Sequence, residues 1–289
     1  MNMKLRKLTE HTGAEVLEIN LAHPLDDAAI LGIRRALVEH CVLVFRDQDI
    51  ALDEQIAFSE RFGLLEDFPE KVERSKASAK VFCVSNIDES GTLFGAEHIK
   101  TKYLRVVEYW HTDSSYRRIP SLYSTLFAVQ VPDAKHGGQT EWANMVAAYD
   151  ALPAAMRDRI ATMKAIHQYA QTRVMVLDLP PLTEAERTAL PPVLHPVVRT
   201  HPDSGKRSLF ISAHSPRIEG LPAGEGEALL YELLGHATQP KFVYRHFWRK
   251  GDLVVWENRH SIHRLIPYDA TQHRRVMHRT CVGGTEPVT

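Results

Sequence analysis

The sequence predicts a mainly β protein with flanking helices. Short runs of β-branched and aromatic residues, which favour strands, recur along the chain. These runs do not alternate regularly with helices as βαβ units do, and no glycine-rich nucleotide-binding motif of the Rossmann or P-loop type occurs. We therefore predict an antiparallel β architecture with helices packed outside it.

The strands of this architecture are predicted from composition. Each segment is short and rich in valine, phenylalanine, tyrosine or tryptophan. The predicted strands are VLVF at 42–45, VFCV at 81–84, YSTLFAVQV at 123–131, SLFI at 208–211, FVYRHFW at 242–248, LVVW at 253–256 and RVMHRTCV at 275–282.

Helices are predicted where apolar residues recur at helical spacing, as Leu229, Leu230, Leu233 and Leu234 do. The predicted helices cover 26–40, 53–63, 144–163 with a break at Pro153, and 225–237. The proline-rich stretch 177–196 is predicted to be a long excursion over the β structure.

Composition narrows the classes of protein and partner. The 289 residues are 44% hydrophobic and 25% charged, which is typical of a globular protein, and we expect one domain over residues 1–289. The net charge of -1 offers no basic face for nucleic acid, so we expect small-molecule partners. Neither an apolar signal segment nor a run of about 18 apolar residues occurs. We therefore expect a cytoplasmic protein with no membrane segment.

The three cysteines, Cys41, Cys83 and Cys281, are far apart and odd in number, which favours reduced thiols over a disulfide framework. Histidine is abundant, with 16 residues, but that count alone identifies no site.

A metal site is predicted first from His111-Thr-Asp113. If the preceding segment RVVEYW is extended, the two-residue period places His111 and Asp113 on one face, where they can bind one metal. The pattern is weak by itself, because His201-Pro-Asp203 repeats it in HPDSGK. That second copy is predicted to be a hairpin turn.

The other half of the site is predicted about 150 residues later. A strand ending at Trp256 is followed by His263 and, twelve residues further on, by Arg275. Two histidines and one carboxylate leave three positions of an octahedral metal open, the arrangement of non-haem Fe(II) oxygenases. A neighbouring antiparallel strand could return Arg275 to the metal, where a guanidinium can hold a carboxylate by two hydrogen bonds. His260 competes with His263 as the second histidine, and strand parity alone leaves both open.

Several motifs together resemble one family. The chain resembles the taurine dioxygenase superfamily in the motifs WHTDSSY, HGGQTEW, NMVAAYDALP, and WENRHSIHR with RRVMHR. These proteins are Fe(II)- and 2-oxoglutarate-dependent oxygenases built on a double-stranded β-helix, or jelly roll. The motifs run from VLVFRDQ at 42–48 to RTCVGG at 279–284, which is nearly the whole chain.

The resemblance implies a role for individual residues. His111, Asp113 and His263 are the iron ligands, Arg275 binds the distal carboxylate of 2-oxoglutarate, and Thr140 assists Arg275 with its hydroxyl. The cofactors implied are Fe(II), 2-oxoglutarate as cosubstrate, and O2. The family usually has Asp where Glu257 stands, but that position is not a ligand. Because family members are commonly homo-oligomeric, a homo-oligomer is left open.

A second set of segments resembles the herbicide-cleaving branch of the superfamily, 2,4-dichlorophenoxyacetate/2-oxoglutarate dioxygenase. These segments are LPPV from 190, VVRTH, SGKRSLFISAH, IEGLP, HAT and FVYRHFW. This resemblance implies hydroxylation of the carbon between the ether oxygen and the carboxylate of an aryloxyalkanoate. The product collapses to a phenol and glyoxylate, beside succinate and CO2.

An anionic substrate requires a cation in its pocket, because burying an unpaired carboxylate is unfavourable. Arg279 has the strand parity of Arg275, and the resemblance places it where the family holds a substrate sulfonate or carboxylate. Lys71 resembles a lid lysine that meets the aryloxyacetate carboxylate, and His201 resembles a histidine that faces the substrate.

Three alternatives remain open at this level. One is a taurine, alkylsulfonate or other small-anion hydroxylase of the same superfamily. Another is a non-catalytic metal-binding jelly roll, against which Arg275 and Thr140 argue because a structural metal needs no separate anion clamp. The third, a halogenase, is disfavoured because such enzymes vacate the carboxylate position that Asp113 fills here.

Overall fold

The computed structural model describes residues 3–67, 74–75 and 78–288 of the chain. Its strands are β1 (Lys4–Lys7), β2 (Ala14–Leu17), β3 (Val42–Phe45), β4 (Arg74–Ser75), β5 (Ser78–Ser85), β6 (Tyr123–Gln130), β7 (Thr140–Asn144), β8 (Lys164–His167), β9 (Val193–Pro196), β10 (Val198–Thr200), β11 (Arg207–Leu209), β12 (Arg217–Ile218), β13 (Val243–His246), β14 (Leu253–Glu257), β15 (Ser261–Leu265) and β16 (Val276–Val282). The helices are α1 (Asp27–His40), α2 (Leu52–Glu60), α3 (Ile99–Val106), α4 (Met145–Asp150), α5 (Ala154–Ile160), α6 (Thr172–Met175), α7 (Glu184–Ala189) and α8 (Ala223–Ala237).

Most strands belong to two sheets. The larger sheet has the order β1-β2-β3-β14-β6-β16-β5-β4, and the smaller one has the order β13-β7-β15. Every pair in them is antiparallel except β2 with β3. Two minor sheets, β12-β8-β9 and β10-β11, complete the β structure of the described residues.

The two main sheets face each other across an apolar core. Successive residues of a strand point to opposite faces, and β3 and β14 follow this alternation. Val42 and Val44 pack with Trp142 of the smaller sheet, whereas their neighbours Leu43 and Phe45 pack on the other side of the larger sheet. The sequence therefore forms a double-layered β core from strands that are buried on both faces.

Helices cover the outer faces of both sheets. On the larger sheet, Ile33 and Leu37 of α1 and Phe58 of α2 pack against the apolar face that carries Phe45. Helix α1 is preceded by its N-cap residue Asp26, whose side chain accepts a hydrogen bond from the backbone N–H of Ala29. Helix α8 covers the smaller sheet with its predicted leucine stripe. The arrangement of helices outside antiparallel sheets agrees with the fold class predicted from the sequence.

Two predictions of local structure were wrong. The stretch 177–196 is not a plain excursion, because it contains α7, which begins at Thr183 with a capping box, and β9. The segment before His111 is not a strand: α3 ends at Val106 and a turn follows it. The HPDSGK segment, by contrast, joins the antiparallel strands β10 and β11 as the predicted hairpin turn.

Among the described residues, no helix is both long and apolar enough to cross a membrane.

Candidate active site

His111 and His263 are joined by the backbone. The N–H of each residue donates to the carbonyl of the other, at 2.9 Å from His111 and 2.7 Å from His263, in an isolated antiparallel bridge. Paired residues of such a bridge carry their side chains on one side. The two imidazole rings consequently lie 4.2 Å apart between centroids.

Asp113 lies beside these rings and is held from two directions. Its Oδ2 accepts a hydrogen bond of 2.6 Å from the hydroxyl of Ser124, and its backbone N–H donates to Oδ1 of Asn258. The amide of Asn258 in turn donates to Ser124 at 3.0 Å. The turn after β14 therefore fixes the carboxylate that follows α3, although the two lie far apart in sequence.

Burial and charge set the protonation of the three side chains. Burial lowers the pKa of His111 and His263, so both rings are neutral at physiological pH and have a lone pair to give. Burial alone raises the pKa of Asp113, but the positive charge of Arg279 foremost, together with the adjacent imidazoles and the hydroxyl of Ser124, outweighs it and holds that pKa below its usual range. Asp113 is therefore an anion.

The donor set fits a divalent transition metal. Ligand atoms of His111, Asp113 and His263 lie within 4.8 Å of one another, and all three residues are buried. Nδ1 of His111 is bonded to the carbonyl of Tyr109, which leaves Nε2 as the metal-facing nitrogen. Nδ1 of His263 is buried and has no hydrogen-bond partner among the described residues. Two neutral imidazoles and one carboxylate match the facial set of non-haem iron.

Arg275, which directly precedes β16, is a buried cation. Its Nε donates to the carbonyl of Gly138 at 3.3 Å, and no carboxylate of the described residues lies within ion-pair distance. Burial lowers the pKa of Arg275, with only Tyr268 opposing it. A buried guanidinium without an anion is unfavourable, so this position suits an anionic ligand.

Thr140, the first residue of β7, follows Gly138, whose carbonyl binds Arg275, by two positions. Trp248 donates from Nε1 to the hydroxyl oxygen of Thr140 at 3.0 Å, so the hydroxyl proton of Thr140 is free to donate elsewhere. Gly138 has a φ of +82°, and a Cβ there would lie 2.8 Å from the ring of Pro132, so the backbone conformation and the close approach of Pro132 both favour glycine at this position. Thr140 shares its face of β7 with Trp142, which pairs with His263.

A cavity of about 200 Å³ opens on the metal-ligand group. His111 and Asp113 line it, and so does Arg279 of β16. Arg279 contacts Oδ1 of Asp113 at 3.0 Å and lies over the ring of Phe82, 4.7 Å from its centroid. Arg275 is not among the lining residues, although it precedes β16 by one position.

Comparison with known proteins identifies the family. A model described as taurine catabolism dioxygenase TauD, TfdA family matches residues 4–281. The chain belongs to this family. It is therefore a 2-oxoglutarate-dependent dioxygenase, and the predicted jelly-roll fold and the predicted Fe(II), 2-oxoglutarate and O2 chemistry are confirmed.

Individual relatives are similar over nearly their whole length. The alpha-ketoglutarate-dependent 2,4-dichlorophenoxyacetate dioxygenase of Cupriavidus pinatubonensis is 41% identical over 270 residues, covering 92% of this chain and 93% of the relative. The (S)-phenoxypropionate/alpha-ketoglutarate-dioxygenase of Sphingobium herbicidovorans is 34% identical over 279 residues, covering 94% and 92%. The crystal structure of AAD-2 in complex with Mn(II) and N-oxalylglycine is 37% identical, with a TM-score of 0.91 and 99% of both chains covered.

The other predicted substrate residues of this TauD, TfdA family member are Lys71 and His201. Lys71 lies outside the described residues and stays a prediction. His201 does not line the cavity. It is buried, its Nε2 lies 2.8 Å from Oε1 of Glu257, and its Nδ1 accepts two backbone N–H groups of the following turn, so both nitrogens are engaged.

His260 and His263 occupy different positions in the structure. His260 groups with His201 and Glu257, away from His111 and Asp113. Glu257, which stands where the family usually has Asp, is fully buried and also binds Arg259. The geometry favours His263 as the third ligand.

The cavity contains residues that sequence reasoning missed. His214 lines it, is buried, and has an Nδ1 without a hydrogen-bond partner among the described residues. Burial lowers the pKa of His214 to about 3, so its ring is neutral. Lys100 of α3 adds a second cation to the wall, and Tyr116 and Tyr169 add aromatic surface. Tyr116 and His214 fall within the quoted segments WHTDSSY and SGKRSLFISAH, but no spacing rule singles them out there, and only the fold brings these residues to one cavity.

Proposed function

We propose that this dioxygenase hydroxylates the carbon next to the carboxylate of an aryloxyalkanoate such as 2,4-dichlorophenoxyacetate. The hydroxylated product is a hemiacetal, which collapses to the phenol and glyoxylate. The balance is aryloxyacetate, 2-oxoglutarate and O2 giving phenol, glyoxylate, succinate and CO2. The names of the relatives, which specify this substrate class, support the proposal.

The observation that carries the proposal is the position of Arg279. It lines the cavity and contacts Asp113 at 3.0 Å, so an anion bound to Arg279 lies within a few ångströms of the metal-ligand group. Charge-assisted contacts to guanidinium are short and directional. The C–H bonds next to that carboxylate would then lie close to the metal-ligand group, which supports reaction at this position.

The remaining residues act by binding and orientation. We propose that His111, Asp113 and His263 hold Fe(II), which, when bound, supplies the activation of O2 by oxidative decarboxylation of 2-oxoglutarate. Arg275 and Thr140 would hold the distal carboxylate of 2-oxoglutarate, since one is a buried cation without an anion and the other has a free hydroxyl proton. Arg279 lines the cavity whereas Arg275 and Thr140 do not, so the two anions would be bound by different residues.

The walls of the cavity suit an aryl group. Tyr103, Tyr116 and Tyr169 lie on one side, with Leu104 and Val106 of α3 nearby. Aromatic side chains stack favourably on an aryl ring beyond the gain from burial alone. Such walls also exclude water, which strengthens the contact between a substrate carboxylate and its cations.

Substrate profiling tests the proposal. The Fe(II) enzyme with 2-oxoglutarate should take up O2 and release a phenol when given 2,4-dichlorophenoxyacetate or a 2-aryloxypropionate. Taurine and a linear alkylsulfonate are the matched anions, because they test the cation without the ring. Uptake of O2 with release of sulfite from a sulfonate, and no phenol from any aryloxyalkanoate, would replace this proposal with the small-anion hydroxylase.

A further inference from the structure

A second, smaller pocket of about 60 Å³ lies away from the active-site cavity. Its walls include Arg199 of β10, Arg259 from the turn between β14 and β15, and the C-terminal residues Thr285 and Glu286. None of its lining residues also lines the active-site cavity. Two arginines and one glutamate therefore line a small pocket.

Arg199 is buried without an anion. Its exposed fraction is 9%, its buried Nε has no hydrogen-bond partner, and within the described ranges no carboxylate lies at ion-pair distance from it. Its guanidinium lies over the ring of Phe210, 4.9 Å from the centroid, which offsets part of the cost of burial. Burial, and secondly the like charge of Arg259, lower the pKa of Arg199 to about 10.

The carboxylates of Glu257 and Asp203 contact residues other than Arg199. Glu257 binds Nε of Arg259 and lies 2.8 Å from Nε2 of His201, and the exposed Asp203 contacts Arg259 at 3.2 Å. Arg259 and His201 therefore share the carboxylate of Glu257, whereas Arg199 does not contact it and feels its charge only from a distance. The pocket therefore contains one guanidinium more than its carboxylates neutralise at contact distance.

A metal is a poor occupant for this region, although His201, Glu257 and His260 have ligand atoms within 4.8 Å of one another. Nδ1 of His201 accepts the backbone N–H groups of Asp203 and Ser204, so the ring proton is on Nε2 and points to Glu257. A protonated nitrogen has no lone pair for a metal. Two neighbouring guanidiniums also repel a cation.

We propose that this pocket is an accessory binding site for a small oxyanion, held by Arg199 and Arg259. Phosphate, sulfate and a carboxylate group share the required chemistry, since each presents negative oxygens to guanidinium donors. Thr200 and Thr285 on the same wall carry further hydroxyl donors. Because Arg259 follows Asn258, which binds the backbone of Asp113, an occupant would also stabilise the turn that supports the active site.

The test uses sulfate and thermal unfolding of the enzyme loaded with Fe(II) and 2-oxoglutarate under anaerobic conditions. At constant ionic strength, millimolar sulfate should raise Tm saturably, by about 2 °C for a protein of this size. Arg199→Gln should lose this rise, and without sulfate its Tm should equal or exceed that of the wild type because a buried unpaired charge is gone. Arg199→Lys, which keeps the charge, should keep part of the rise.

Two further variants separate binding from general salt effects. Arg118→Gln, at an exposed arginine outside the pocket, should keep the full response. Glu286→Gln, which removes a negative charge from the pocket wall, should raise the apparent sulfate affinity at least twofold. An equal rise with acetate assigns the site to carboxylates as well, whereas a rise with sulfate alone assigns it to tetrahedral oxyanions. A wild type that does not respond to either anion, or an Arg199→Gln variant that responds as the wild type does, overturns the proposal.

Discussion

His111 and His263 exchange both of their backbone hydrogen bonds, although 152 residues separate them in the chain. This bridge holds two of the three proposed iron ligands side by side before any metal is bound. The position of the rings is therefore a property of the fold. Little reorganisation is required when the metal binds, which favours affinity.

The first prediction concerns this set of ligands. His111→Ala, Asp113→Ala and His263→Ala should each abolish substrate-dependent O2 uptake and lower bound Fe(II) well below one per chain, because each removes one of three ligands. Metal content after anaerobic gel filtration measures the effect. His260→Ala is the matched control and should retain iron. Loss of iron in that control alone would mean that the third ligand is misassigned.

The second prediction concerns 2-oxoglutarate. Arg275→Gln should raise its Kd by about ten- to a hundredfold, since a charge-assisted pair contributes roughly 1.5 to 3 kcal/mol. Arg275→Lys should lose less, because it keeps the charge but not the two-point geometry. Thr140→Val should raise the Kd by a smaller factor, whereas Thr140→Ser, which keeps the hydroxyl, should not. Anaerobic titration of the metal-to-ligand charge-transfer band measures all four, and an unchanged Kd in Arg275→Gln contradicts the assignment.

The sequence predicted best the strands that are apolar on both faces and the helices that carry a long apolar stripe. VLVF at 42–45 coincides with β3, and the leucine stripe at 225–237 lies within α8. Their composition alone determines their conformation, whichever neighbour they pack against. By contrast, β8, β9 and β12 are short and of mixed composition, and they form through pairing with one another.

The proposed ligands His111, Asp113 and His263 lie together in the structure, although part of the reasoning that brought them together was wrong. The segment before His111 is a helix end and a turn, so the two-residue period of a strand does not apply to it. Arg275 precedes β16 in the larger sheet and is not on a strand next to β15, which belongs to the smaller sheet. Local spacing could not reveal which sheet each segment joins, because this depends on pairing between distant strands.

The third prediction concerns pH and Glu257. Burial raises the pKa of this carboxyl, but His260, His201 and Arg259 together lower it to about 2, below the ordinary 4.5. A lowered pKa stabilises the folded state above about pH 4.5, and the stabilisation is lost as the pH falls towards 2. Glu257→Gln should therefore lower the free energy of unfolding by about 3 kcal/mol at pH 7, since it leaves the guanidinium of Arg259 without its buried anion.

Urea unfolding of the wild type and Glu257→Gln across this range measures the difference. It should stay constant from about pH 7 to pH 5 and shrink below pH 4.5. Glu286→Gln, at an exposed glutamate, should differ from the wild type by less than about 0.5 kcal/mol throughout. A difference that does not change with pH would assign the effect of Glu257 to packing.

The fourth prediction concerns His214. Its neutral ring lies on the cavity wall, and its Nδ1 has no hydrogen-bond partner among the described residues. In the tautomer that is protonated on Nδ1, this nitrogen can donate one hydrogen bond to a substrate oxygen. His214→Phe should raise KM for an aryloxyacetate by about five- to tenfold, in line with roughly 1 kcal/mol for a neutral hydrogen bond. The 2-oxoglutarate Kd should not change. A rise in both constants would mean that the substitution distorts the metal-ligand group, since His214 lies near His111.

The last prediction separates two roles of Arg279, which contacts Asp113 and lines the cavity. If it binds the substrate carboxylate, Arg279→Gln should lower kcat/KM for 2,4-dichlorophenoxyacetate about thirtyfold or more. This factor corresponds to a loss of about 2 to 5 kcal/mol of transition-state binding. Iron should be retained, because the variant removes a positive charge beside the metal while Asp113 keeps its bond from Ser124. The corresponding neutral amide, tested on both proteins, completes the cycle: it should be a poor substrate of the wild type and lose little further in the variant. Equal losses for the acid and the amide would mean that Arg279 acts through Asp113 and not on the substrate.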